Sequence, residues 1–258
     1  MTEVWGQGEV YDGFMGRWSR LVAESFVDWL EIEPGAAWLD VGCGSGALSS
    51  KIVARANPSR LVAADASAPF VEVARSRLGN DAEVLVADAA DLPFDDDTFD
   101  AVVSGLVLNF LPDPTAAIGE HSRVSRGTVA AYVWDYAVGM EMLRLFWEEA
   151  VALDPAATSL DEAARFRLAS EGGVRRPFDE ARLRDVESRA IDIPMRFASF
   201  DDYWTPFLGG QGPAGAYAVG LDDQARDALR DRMRERLPIA NDGSIVLTAR
   251  AWAVRAAV

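Results

Sequence analysis

Residues 37 to 46, AWLDVGCGSG, constrain this chain more than any other stretch. An apolar run of Ala37, Trp38 and Leu39 leads into Asp40 and then into glycines at 42, 44 and 46, after which ALSSKIVARA carries a helical pattern. That order reads as a strand, a tight turn and a helix. Glycine lacks a Cβ, so such a turn takes positive φ and lets a ligand lie almost on the backbone. The register, Asp-x-Gly-x-Gly-x-Gly, puts a carboxylate at the strand end and departs from the Gly-x-Gly-x-x-Gly spacing of pyrophosphate turns. No Walker lysine follows, which argues against a nucleoside triphosphate. A carboxylate at this place suits a ligand that brings positive charge.

LDVGCGSG resembles motif I of the class I S-adenosylmethionine-dependent methyltransferases, whose cofactor carries both an ammonium and a sulfonium. Its surroundings are similar to the type 11, small-molecule branch. The resemblance runs from about Tyr11 to the C-terminal strand and is strongest over residues 37–114. It implies an α/β, Rossmann-like fold: a mostly parallel seven-stranded sheet with helices on both faces and an added helical lid. It also implies S-adenosyl-L-methionine as cofactor, held at the turn by Asp40, Gly42, Cys43 and Gly44, with S-adenosyl-L-homocysteine as product.

With 258 residues, 50% of them hydrophobic, the chain is long enough to bury a full core. It reads as a single domain over 1–258, with lid elements from 1–30 and 137–240. The one cysteine, Cys43, rules out a disulfide within the chain and points to a reducing cytoplasm. Its place in a tight turn suits a small packing residue better than a nucleophile. The start, MTEVWGQGEVYDG, has acids and glycines where a secretory signal needs a basic end and an apolar core. No stretch approaches the roughly 20 apolar residues of a membrane span. A formal net charge of −16 opposes a phosphate backbone, so the expected partner is a small-molecule methyl acceptor, with no nucleic acid and no membrane.

In YDGFMGRWSRLVAESFVDWL, residues Trp18, Leu21, Val22, Phe26, Trp29 and Leu30 fall at helical spacing. The segment is similar to the family's N-terminal lid, which implies Tyr11, Arg17 and Trp18 near the cofactor, with the forked donors of Arg17 on the methionyl carboxylate. An exposed arginine beside a core tryptophan is the alternative. RLVAAD (60–65) reads as the second strand. Asp65 at its end lies 25 residues past Asp40, near the roughly 20-residue offset at which α/β nucleoside sites place a carboxylate on the ribose. Ala66 offers a small surface to the adenine. A helix over 69–78 precedes AEVLVAD (82–88), where the resemblance implies Asp88 and the Ala89 N–H on the adenine edge. The acids 95–97 read as a solvated turn, since adjacent carboxylates point different ways, and no metal is expected. FDAVVSGLVLNFLPDP (99–114) is similar to the family's motif IV, which implies Ser104, Gly105 and Leu106 as the floor below the sulfonium. Asn109 faces the acceptor or caps a turn. Asp113-Pro114 opens a helix whose His121, the only histidine, is expected on the surface.

The fifth strand, 127–136, ends in Trp134, Asp135 and Tyr136 at the carboxyl edge where open parallel sheets bind ligands. Helices are expected over 139–153, 160–170, 178–185 and 221–237, strands over 186–197 and 244–254, and a mobile loop over 209–215. The arginines from 165 to 189 are interleaved with acids, the pattern of a solvated surface. Asp135 is the candidate catalytic base, with a structural strand-end acid as the alternative. Trp134, Tyr136, Tyr203 and Trp204 are candidate acceptor-pocket walls for a flat or apolar molecule, with plain packing as the alternative. The expected function is in-line methyl transfer to a small organic molecule. Two alternatives stay open: a non-catalytic cofactor-binding sensor or scaffold, and a nicotinamide-dependent oxidoreductase, which the glycine register and Asp40 disfavour.

Overall fold

The computed structural model describes residues 15–258, so Tyr11 lies outside the described residues. Strand β1 (Ala37–Val41) is apolar and buried because it lies between two parallel neighbours, β2 (Arg60–Asp65) and β4 (Phe99–Gly105). Parallel to these, β3 (Glu83–Val86) pairs with β2, and β5 (Ser125–Trp134) with β4. The long strands β6 (Arg184–Phe197) and β7 (Ile245–Ala257) complete a seven-stranded sheet of order β3-β2-β1-β4-β5-β7-β6. The Val258 N–H reaches the Gly127 carbonyl at 3.0 Å and the Asp135 N–H the Arg250 carbonyl at 2.9 Å. Positions rise along one strand as they fall along the other, so β7 runs antiparallel to β5.

Two compact units divide the chain, and the first comprises Ser19–Val133, Leu168–Ile191 and Ala251–Val258. Its helices α1 (Arg17–Leu30), α2 (Ala47–Ala56), α3 (Ala68–Leu78) and α4 (Pro114–Val124) follow the sequence pattern. Successive strand residues point to opposite faces. Val62 and Ala64 of β2 accordingly pack with Leu39, Val102, Ala117 and Val124, while Ala63 packs with Val71, Ala74 and Leu78. From Ser19 onward α1 belongs to this unit: the Phe26 and Tyr132 rings lie 4.7 Å apart, and Arg255 donates to the Trp29 carbonyl at 2.8 Å.

Of the described residues, the second unit takes 15–18, Trp134–Arg167 and Asp192–Arg250. It holds α5 (Glu141–Leu153) and α6 (Glu162–Arg165). The first unit takes α7 (Glu171–Glu180), and the second continues with α8 (Phe200–Trp204), α9 (Gly212–Gly220) and α10 (Asp223–Arg236). The core of this second unit is aromatic: Phe146 stacks on Phe207 at 4.6 Å, and Trp147 lies 5.4 Å from Tyr217.

Four expectations need correction. Of the helix expected over 160–170, only the single turn α6 forms, and 166–170 is irregular. The helix expected over 178–185 is α7, where the Ser170 hydroxyl caps by accepting the Gly173 N–H at 3.2 Å; Gly172, Gly173 and Pro177 disguised it. The loop expected over 209–215 contains the start of α9, whose Gly212, Pro213, Ala214 and Gly215 are buried. Small residues are required there, since a Cβ at Gly215 would sit 3.0 Å from the Gly210 carbonyl carbon. His121 is fully buried, because α4 places it on the same stripe as Ala117, Ile118 and Val124. Among the described residues no helix is long and apolar enough to cross a membrane.

Candidate active site

Strand order reverses at β1 and β4, and the crevice beyond their carboxyl ends is where a sheet of this kind receives a ligand. The turn after β1 hangs on β2, with Gly42 and Cys43 donating their N–H groups to the Ala64 carbonyl at 2.7 and 3.0 Å. Gly42 has φ of 74°, and a Cβ there would lie 2.5 Å from Val107, so the loop after β4 packs directly on this glycine. Gly44, at φ of 53°, has no atom within 4 Å of the place a Cβ would take. The open space lies over Gly44. Beside it, Asp65 accepts the Gly44 N–H at 2.9 Å and the Ser67 N–H at 2.8 Å. A carboxylate offers about four lone-pair sites, so Asp65 ties two loops together and keeps capacity for ribose hydroxyls.

Asp40 is fully buried at the end of β1, and its Oδ2 accepts the Ser49 hydroxyl at 2.5 Å. Its Oδ1 is buried with no partner. Desolvation raises the carboxyl to about pH 7; the Ser49 bond opposes the rise and the Asp65 charge adds to it. Burial, with the Asp40 and Asp65 charges behind it, also pushes up the Cys43 thiol. A protonated thiol is no nucleophile, which fits the packing role.

Along the same edge Asp88 is exposed and accepts the Ala90 N–H at 2.9 Å, Ala89 is buried, and Ala66 is exposed. At the end of β4 the buried Ser104 hydroxyl has no partner, and a Cβ on Gly105 would sit 2.6 Å from the Tyr132 hydroxyl. Leu106 has φ of 64°, and its N–H donates to the Tyr132 carbonyl at 2.8 Å. A leucine in the left-handed region costs on the order of 1 to 3 kcal/mol and persists only where its surroundings enforce it. No residue-type signal announces that strain. Asn109 has its Oδ1 buried without a partner. The sheet unit thus brings to one edge Asp40, Gly42, Cys43, Gly44, Asp65, Ala66, Asp88, Ala89, Ser104, Gly105 and Leu106.

The remaining predicted residues fall in the second unit. Arg17 donates to both oxygens of Asp202, at 3.0 and 3.2 Å, and lies 4.3 Å over the Trp18 ring. Asp202 is the partner that sequence reasoning missed; it also accepts the Ala198 N–H at 2.9 Å, which fixes it at the start of α8. Trp18 is buried edge-on against Phe197 at 5.3 Å. Asp135 accepts the Val138 N–H at 3.0 Å and shapes the turn after β5. Trp134 is buried with its indole N–H unpartnered, and Tyr136 packs 5.2 Å from Phe166. Tyr203 and Trp204 are interior residues of the aromatic core, the Tyr203 hydroxyl donating to the Met142 carbonyl at 3.0 Å. Glu162, which the sequence did not single out, is buried and accepts from the Trp147 indole and, at 3.4 Å, from the Ala214 N–H. Burial raises it to about pH 7. No group of three or more His, Cys, Asp or Glu residues suited to a metal occurs among the described residues.

Residues 39–131 match the family model described as methyltransferase domain. They form a class I S-adenosylmethionine-dependent methyltransferase domain. Over 92 residues the chain is 41% identical to a demethylmenaquinone methyltransferase of Clavibacter sepedonicus, covering 35% of this chain and 37% of that one. It is 33% identical over 162 residues to a 2-phytyl-1,4-naphtoquinone methyltransferase of Synechococcus elongatus, covering 58% and 66%. The matches span between 30% and 66% of the length of these curated relatives. The fold likeness reaches beyond the methyltransferase domain's matched residues. The YcgJ protein of Bacillus subtilis superposes with a TM-score of 0.57 at 20% identity, over 93% of this chain and 98% of that one. A Haemonchus contortus phosphoethanolamine N-methyltransferase 2, solved with S-adenosyl-L-methionine, gives 0.57 at 15% identity, over 97% and 56%.

Proposed function

We propose that the chain transfers the methyl group of S-adenosylmethionine to a small organic acceptor with a flat ring of the quinol or phenol kind. The turn after β1 carries the reading: open space over Gly44, Asp65 bonded beside it, and a buried acceptor oxygen on Asp40 without a protein partner. These residues fit the cofactor, with Asp65 toward the ribose, Asp88 and the Ala89 N–H toward the adenine, Asp40 toward the cationic end, and Ser104 to Leu106 below the methyl. The bound cofactor supplies an activated methyl with a neutral thioether as leaving group. What the chain adds is alignment and exclusion of water; holding two reactants in line contributes roughly 7 to 11 kcal/mol. That is why a nucleophilic triad is not needed, and why a protonated Cys43 does no harm.

The ring assignment is supported by relatives named for demethylmenaquinone, naphthoquinone and hydroquinone substrates; the aromatic candidates for its contacts are Trp134, which ends β5, and Tyr136 two residues on. The net charge of −16 favours a small acceptor over nucleic acid, and a lone buried thiol fits a reducing cytoplasm. The test supplies S-adenosylmethionine labelled in its methyl group to the full chain with simple quinols, with a metabolite extract and with bulk tRNA, since one relative from Bos taurus carries a tRNA methyltransferase name. Label in a ring compound, with S-adenosylhomocysteine formed in equal amount, is the expected result. Label in tRNA alone overturns the acceptor class. Binding of S-adenosylhomocysteine without turnover on any acceptor supports a sensor, and binding of NAD in its place ends the reading.

A further inference from the structure

The buried carboxylate at the end of β1 is half-satisfied in a specific way. Oδ2 of Asp40 takes the Ser49 hydroxyl at 2.5 Å, whereas Oδ1 has no partner although it too is buried. Ser49 is itself wholly buried and stands third in α2, where the backbone N–H has no carbonyl within the helix to bond. That N–H also favours the ionised carboxylate, and Gly46, the residue before the helix, offers no side chain to cap it. The start of α2 and the end of β1 are therefore joined through one acid, and the join uses only one of its two oxygens. The titratable groups that face Asp40 are Asp65 at the end of β2 and Cys43 in the turn. In register beside it stand Ala63 on β2 and Val103 on β4, which carry no charge. Among the described residues no cation acts on it, and the Asp65 charge opposes its ionisation.

We propose that Ser49 is a positioning residue for the cofactor: it fixes Asp40 through Oδ2 and so presents Oδ1 to the cationic end of the ligand, which completes the carboxylate's shell. The proposal rests on the methyltransferase reading above. A consequence follows from the balance of charge. An acid buried beside another acid holds its proton near neutral pH, and a cationic ligand favours the ionised form, so binding releases that proton to the buffer. Without the Ser49 hydroxyl the ionised form loses a charge-assisted bond, and the pH at which the site becomes competent moves up.

Calorimetry on the full chain tests this. S-adenosylhomocysteine is titrated between pH 6 and 8 in two buffers of different ionisation enthalpy, with adenosine, which lacks the cation, as comparison. For the natural chain the expected result is release of part of a proton near pH 7 with S-adenosylhomocysteine and none with adenosine. Ser49→Ala should move the midpoint of the affinity profile up by about one pH unit and weaken binding at pH 7 by up to about tenfold, and Ser49→Thr should restore it. Equal proton release with both ligands, or a Ser49→Ala profile that overlays the natural one, overturns the proposal while leaving the cofactor assignment intact. The proton count on the natural chain needs no variant, so a poorly folded Ser49→Ala does not shield the idea. A natural chain that binds no S-adenosylhomocysteine at all overturns both readings together.

Discussion

Asp40 in the sheet unit and Glu162 in the aromatic unit are both buried carboxyls, and desolvation raises each to about pH 7. By titration they are alike, yet their surroundings differ by one oxygen. Glu162 has the Trp147 indole on Oε2 and the Ala214 N–H on Oε1, which seats the start of α9. Asp40 has Ser49 on Oδ2 and nothing on Oδ1. A raised acid therefore reports burial, and only an unfinished hydrogen-bond shell distinguishes an acid awaiting a ligand from one that holds structure together. The sign of the linkage is the same for both. Each folded-state value lies above the unfolded one, so the stability is present below about pH 4 and lost as pH rises through about 7, on the order of 3 to 4 kcal/mol per group.

The largest effects come from separating the two roles. Glu162→Ala leaves two buried donors and a cavity, and the expected cost is about 3 to 5 kcal/mol in denaturant unfolding, with affinity for S-adenosylhomocysteine unchanged in whatever remains folded. Asp40→Asn should do the reverse: affinity falls by at least about a hundredfold while stability above pH 7 stays level or rises, because a buried charge has gone. If Asp40→Asn binds normally and Glu162→Ala does not, the rule drawn from the comparison fails.

His121 puts the rule under more strain, since both of its ring nitrogens are buried without partners. Its neighbours on α4 are Ala117, Ile118 and Val124, and burial lowers it to about pH 4, with the Glu120 charge opposing weakly. A folded value below the unfolded 6.5 means that stability is present above 6.5 and lost as pH falls toward 4. The amount is about 3 kcal/mol. Over that window the two carboxyls pull the other way with a larger sum, so the natural chain's own profile masks the imidazole. The measurable quantity is the difference between His121→Leu and the natural chain, which should grow by that amount on acidification, with cofactor affinity unaltered. Lost affinity in His121→Leu would give this imidazole a ligand and widen the site.

The sheet was legible because its signals are local. Arg60–Asp65 is strand β2 at the bounds read from RLVAAD, and Asp113 caps α4 by accepting the Thr115 and Ala116 N–H groups at 3.0 Å, as Asp-Pro suggested. The strand-end acids and the glycine turn were visible for the same reason. What the sequence hid depends on long-range packing. Arg17 looked available until Asp202, 185 positions on, took its guanidinium. Gly212 to Gly215 looked like a loop because small residues suit both a mobile turn and a crowded helix start. His121 carries a usable signal: its spacing from Ala117, Ile118 and Val124 puts it on the apolar stripe. Leu106 gave none, since nothing in a leucine foretells a left-handed backbone.

Asp65 completes the comparison as an intermediate case, and its effect should be the smallest. It is only partly buried, and both of its oxygens already accept backbone N–H groups, from Gly44 and Ser67. On the simple rule it would be structural, like Glu162. The difference is that its partners belong to the two loops that frame the open space over Gly44, and that each oxygen keeps a lone pair for a ligand. Asp65→Ala should then weaken binding of S-adenosylhomocysteine by at least about tenfold through the lost ribose bonds. Asp65→Asn sharpens the point, since its Oδ1 still accepts one backbone N–H while its amide nitrogen cannot accept the other. If the ribose contact dominates, Asn should lose nearly as much as Ala for S-adenosylhomocysteine. If holding the turn is all that matters, Asn should recover most of the affinity, and Asp65 would then move to the side of Glu162.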